Sequence, residues 1–166
     1  MNMTHYMELL ASNQPWNLLF FMAVPVILAE TLAISELYLL YTNRFKGGLR
    51  KLNKFVGITV GIYFAGVIIY LLNNVVIPIT QNGQWRGVID VIAVGTYLLS
   101  GIPLLLVALL ELGIFAKKKT EKYKLALHIT FIALFLIFGH VAMITGMVNP
   151  DIFGSKAVQT SHAHLD

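Results

Sequence analysis

Five ionisable side chains stand inside long apolar stretches of this sequence: Glu30, Glu36, Glu111, His128 and His140. A charge in an apolar medium is costly, so each is a candidate for function. Carboxylates and imidazoles can pass protons, pair with each other, or ligate a metal ion or haem iron. The chain has no cysteine. That removes thiolate metal sites, iron–sulfur clusters and covalently attached haem of the Cys-x-x-Cys-His kind. Histidine, methionine and carboxylate remain as ligands.

Three of the five share a depth. Glu36 lies five residues before Tyr41, Glu111 five before Ala116, and His128 five after Tyr123. If those positions mark helix ends, each group is about 7–8 Å inside an apolar layer, at 1.5 Å per residue. Equal depth on three helices predicts that Glu36, Glu111 and His128 come within contact range. The layer reads either as a salt-bridge knot tying helices together or as a cofactor-supporting or proton-carrying site. Glu30 is deeper, about 16 Å from the same end, and about 120° from Glu36 around the helix. It is expected to hydrogen-bond a neighbouring helix in its neutral form, with a proton path through it as the sharper alternative.

His140 sits in Phe138-Gly139-His140-Val141-Ala142-Met143, and Met143 and Met147 continue its helical face. It is about 18 Å along the axis from His128, a separation that suits two redox centres near opposite leaflets. His5, His162 and His164 lie outside the apolar runs, on the side of His140. With Met1, Met3, Met7, Met143 and Met147 they could supply His/His or His/Met axial ligands to haem b, at one site or more. The same set, His5, His140, His162 and His164, could instead hold copper, zinc or nickel. Arg86 and Lys156, the only basic residues on that side, could pair with haem propionates or another anion. His128 is left for an inner site. The alternative is that His162 and His164 belong to a frayed tail.

The elements that must position these groups follow from composition. Of the 166 residues, 57% are hydrophobic and 12% charged, against about a quarter charged in a soluble domain. Four apolar runs, at about 17–41, 55–77, 87–116 and 123–148, each exceed the roughly 20 residues that cross a bilayer as a helix. Ten of the twelve Lys and Arg residues fall in 42–54 and 117–124. By the positive-inside rule those loops are cytoplasmic, and both termini and the loop 78–86 lie on the other side. The charge sits beside apolar runs, which argues against nucleic acid as partner.

Short loops predict an all-α, antiparallel four-helix transmembrane bundle in one domain, 1–166, with a tail at 149–166. Met3, Tyr6, Met7 and Leu10 are spaced as a short amphipathic helix at the membrane interface. Gly57 and Gly61 form a G-x-x-x-G pair for close helix packing, and Gly139, Ala142 and Gly146 line a second small stripe. Pro25 and Pro103 fall inside spans, where they are expected to bend them. There is no internal repeat, and no phosphate-loop, dinucleotide, zinc-protease or serine-hydrolase motif.

The segments Met3-Thr4-His5-Tyr6-Met7, Pro15-Trp16-Asn17-Leu18, Glu30-Thr31-Leu32-Ala33 and Gly139-His140-Val141-Ala142-Met143 resemble a group of small bacterial membrane proteins, often labelled permeases. The resemblance covers most of the chain. The permease label fixes no residue role; a bacterial inner-membrane location, with both termini periplasmic, is expected from the size and simplicity of the chain and its loop charges. The His128/His140 spacing is also architecturally similar to b-type membrane cytochromes, although the first three spans contain no histidine.

Three expectations of function follow. The first is a membrane haem protein, an electron carrier or oxidoreductase, with quinone or a redox protein as partner. The second is a permease or cation-handling protein using the same His/Met cluster. A third is a structural or accessory subunit with no site, and a homodimer is compatible with any of the three.

Overall fold

The computed structural model describes residues 3–114 and 116–149. The described residues are helical, with no strands. A short helix α1, His5–Ala11, precedes four long ones: α2, Trp16–Thr42; α3, Gly48–Gln81; α4, Val88–Glu111; and α5, Glu121–Met147. Each of the four is long and apolar enough to cross a membrane, as expected for an integral membrane protein. Each packs against two others, in the cyclic order α2, α3, α4, α5. The loops 43–47 and 112–120 form one end, here called the basic end. Helix α1 and the loop 82–87 form the other, capped end.

Helix α4 is the most enclosed, with half of its apolar window buried against 22% for α2 and α5. The core runs along it: Ala93, Val94, Tyr97, Leu104 and Val107 meet Phe64, Leu32, Ile132 and Phe135. Where both solvent and core are apolar, close packing rather than burial must hold helices together. Gly61 provides it. A Cβ there would lie 2.4 Å from the Ala108 Cβ and 2.7 Å from the Leu104 carbonyl oxygen, so only glycine lets α3 approach α4 this closely.

Helix α2 is not regular. Over Leu19–Ala23 it widens to a π-turn, in which the Val24 N–H bonds to Leu19 rather than to Phe20. Pro25 follows and has no N–H for the Phe21 carbonyl. Two carbonyls thus lose their helical donors, and two tyrosines from neighbouring helices replace them. Tyr63 of α3 donates to Phe20 O at 2.7 Å, and Tyr97 of α4 donates to Phe21 O. Helix α3 repeats the pattern with a π-turn at Leu72–Val76 and Pro78 just after it.

Three boundaries differ from the hydropathy reading. Helix α3 begins at Gly48, after Gly47 with φ +122°, so Arg50, Lys51 and Lys54 are helical rather than in a loop. It continues past Pro78 to Gln81, because the proline enters at the start of a new turn where no N–H is needed. Helix α4 stops at Glu111 rather than 116, closed by Gly113 at φ +75°. Helix α1 also does more than lie at an interface. Tyr6 and Leu10 are buried, the Tyr6 ring lies against Gly146 of α5, and buried Thr4 donates to the Gly146 carbonyl at 2.8 Å.

Candidate functional site

Toward the basic end, α2, α3, α4 and α5 each direct a polar group inward. The Nδ1 of His128 is hydrogen-bonded to Glu36 Oε1, and its Nε2 lies 3.4 Å from Glu111 Oε1. Glu36 and His128 are wholly buried. The three residues of equal depth therefore meet. The imidazole fits because Gly57 faces it: a Cβ there would stand 3.0 Å from His128 Cε1.

The line continues outward. Arg50 donates two hydrogen bonds to the Glu111 carboxylate, at 2.8 and 3.1 Å, and a third to Glu121 at 3.1 Å. Lys124 reaches the other oxygen of Glu121 at 2.9 Å. Beyond them opens a recess of about 400 Å³ lined by Arg50, Lys51, Lys54, Lys117, Glu121 and Lys124. A series of ionisable groups thus joins the recess to the middle of the bundle, hydrogen-bonded at each step except the 3.4 Å approach of His128 Nε2 to Glu111. Three buried atoms in the series or beside it have no hydrogen-bond partner among the described residues: Glu36 Oε2, His128 Nε2 and Asn53 Nδ2. Asn53 is tied to α2 only through its Oδ1, which accepts from Ser35 at 2.8 Å.

The charges define what this arrangement can do. Two carboxylates and Arg50 leave one negative charge, and one proton on His128 or Glu36 brings the set to neutrality. That proton can sit at either end of the His128–Glu36 hydrogen bond without changing the total. A buried cluster that is neutral in two arrangements can relay a proton at little electrostatic cost.

The capped end has a separate polar knot. Buried Asp90 accepts from the His5 backbone N–H at 2.7 Å and from the Arg86 N–H at 3.2 Å, and pairs with His5 Nδ1 at 2.6 Å. Arg86 donates to the Met3 carbonyl and to Glu8. Its guanidinium is therefore engaged by the chain's own groups rather than held free for a propionate. Burial pushes the Tyr6 phenol well above its ordinary pKa, so it stays protonated.

His140 and Glu30 have different surroundings. His140 is exposed on the bundle's outer surface, and its Nδ1 donates to the Leu136 carbonyl one turn back, at 2.6 Å. It stands at the rim of an apolar groove of about 160 Å³ between α2 and α5, with Tyr6, Phe21, Pro25, Phe135 and Met143 in the lining. Met147 is 68% exposed. Glu30 does not reach a neighbouring helix. It is exposed on α2, because the turn of about 120° from buried Glu36 carries it to the outer face. His5 and His140 have separate partners, and no three His or acidic groups are gathered as a metal ion needs among the described residues. His162, His164, Met1 and Lys156 lie outside the described residues.

Several contributors were not singled out from sequence. Arg50 counts there only among the ten basic residues of the loops, and Asp90 is not among the five candidates. Arg50, Asn53 and Gly57 fall at i, i+3 and i+7 on one helical face, a pattern that marks them as one group.

Comparison with curated proteins and with solved structures finds no match. Residues 1–162 match the model of a family described as a family of unknown function (DUF6803), and the chain belongs to that family.

Proposed function

We propose that this protein is a small proton-handling permease of the bacterial inner membrane. Its working group is the Glu36–His128–Glu111 cluster, which exchanges protons with the cytoplasm through the recess at the basic end. The observation that carries this reading is the series of close ionisable groups Lys124, Glu121, Arg50, Glu111, His128, Glu36, each within 3.4 Å of the next. It leads from an open, charged recess to buried atoms that lack partners. Intramembrane carboxylate and histidine chains of this kind mark ion and proton paths.

The test is proton movement in proteoliposomes loaded with a pH-sensitive dye, for the native protein and for Glu36→Gln and His128→Asn. Potential-driven acidification that both substitutions abolish is the expected result. Native vesicles no leakier than empty ones would overturn transport. The orientation is tested separately. Reporters fused at residues 46 and 119 should read cytoplasmic, and those at both termini external.

One observation favours haem as a second reading. The Nδ1–H of His140 is held by a backbone carbonyl, the usual way of orienting a ligating histidine so that its Nε2 is free. The groove beside it, at about 160 Å³, has room for one six-membered ring, so a porphyrin needs α2 and α5 to part. A Soret band in the purified protein, lost in His140→Ala, would favour this reading. A colourless protein after haem supplementation would remove it.

A further inference from the structure

The groove between α2 and α5 lies away from the acid–base cluster, and its chemistry points to a ligand of its own. Its volume of about 160 Å³ matches that of an engineered cavity of about 150 Å³ that binds benzene. Its walls are aromatic and apolar, with Phe21, Pro25 and Phe135 among them. Gly139 is in the lining, with open space where a Cβ would stand. At the rim Ile27 is 59% exposed, so the groove opens sideways, where lipid would lie.

Two polar groups border this apolar space. His140 donates from Nδ1 to a carbonyl, which can only accept. In the neutral ring Nε2 is therefore a bare acceptor. Tyr6 lines the groove and is 4% exposed. The phenol stays protonated, so it offers a donor. An acceptor and a donor thus border a slot the size of one ring.

We propose that this groove binds the head group of a membrane-soluble 1,4-benzoquinol, with one hydroxyl donating to His140 Nε2 and the opposite oxygen accepting from the Tyr6 hydroxyl. The isoprenoid tail leaves through the open side into lipid. The oxidised quinone has no hydrogen to give His140, so the site favours the reduced form. This inference stands independently of proton transport by the inner cluster.

Three probes of one shape test it on the full chain in lipid nanodiscs, under anaerobic conditions: tetramethylbenzoquinol, tetramethylbenzoquinone and tetramethylbenzene. Equilibrium dialysis should rank them in that order. Each missing hydrogen bond should weaken binding by about three- to tenfold. His140→Leu should bring the quinol down to the quinone, and Tyr6→Phe should bring the quinone down to the hydrocarbon. Gly139→Leu fills the slot and should abolish binding of all three. Equal affinity for the three probes, which requires no variant, would overturn the proposal. So would undiminished quinol binding in Gly139→Leu.

Discussion

The two halves of the bundle are held together by different chemistry. Toward the basic end the helices meet through ionisable side chains: Glu36 from α2, Arg50 from α3, Glu111 from α4 and His128 from α5. Toward the capped end they meet through aromatic rings and through tyrosine hydroxyls on freed backbone carbonyls. The ionic half carries unpartnered buried atoms, and the aromatic half carries a groove. Each half joins all four helices or nearly so, yet only the ionic half joins the spans to one another through ionisable side chains; those of the capped end tie α1 to α4 and to the loop before it. A perturbation should therefore separate them, and its size should follow how many partners a deletion strands.

The largest effect is expected in the ionic half. His128→Ala leaves two buried carboxylates facing each other, and a buried pair broken on one side costs about 3–5 kcal/mol. The double substitution Glu36→Leu/His128→Leu removes the pair together and should recover much of that loss. Unfolding in mixed detergent micelles measures both. A single substitution as mild as the double would mean that the pair is not a unit.

Next comes the glycine seam between the halves. Gly61→Val drives a side chain into Ala108 and the Leu104 carbonyl, and overpacking of that kind costs about 1–3 kcal/mol. Gly139→Ala is its control, since a Cβ there meets nothing within 4 Å. Equal losses at the two positions would refute the close approach of α3 and α4.

In the aromatic half the effects reach the same range at most. Tyr97→Phe strands the Phe21 carbonyl in a buried setting, and an unmade hydrogen bond there costs about 1–3 kcal/mol. Tyr63→Phe removes the equivalent bond at a more exposed position and should cost less. Thermal melts of the two variants give the order, and its reversal would contradict the burial difference.

The smallest effect belongs to the surface of the cap. Glu8→Gln breaks a pair with Arg86 whose glutamate side chain is 57% exposed, and exposed pairs are worth about 0.2–1 kcal/mol. A loss as large as that of His128→Ala would erase the distinction between the halves.

The spans and the shared layer were legible because each depends on quantities a sequence carries: hydropathy and rise per residue. Glu36, Glu111 and His128 meet because their depths agree and their helices are neighbours. The helix ends were less legible. Gly48 to Lys54 is polar, so a hydropathy window reads it as loop, yet the backbone is already helical where it projects beyond the apolar layer. Facing was read poorly as well. Glu30 has the depth of a buried group, but an apolar helix has little amphipathic signal to say which side is out. The π-turn in α2 was invisible, since Pro25 announces a lost N–H but not the widened turn before it. Asp90 was undervalued because its partner, the N-terminal backbone of α1, is a tertiary neighbour 85 positions away.

The freed carbonyls of α2 bear on the order in which the chain is built. Translation delivers α2 first, with Phe20 O and Phe21 O lacking helical donors and Glu36 lacking its base. Tyr63 arrives with the next helix, Tyr97 with the third, and His128 only with the last. The first of the four spans to leave the ribosome is thus completed by the fourth. Until residue 128 is inserted, the nascent protein carries an unfinished helix in lipid, a natural target for the chaperones and proteases that survey membrane insertion.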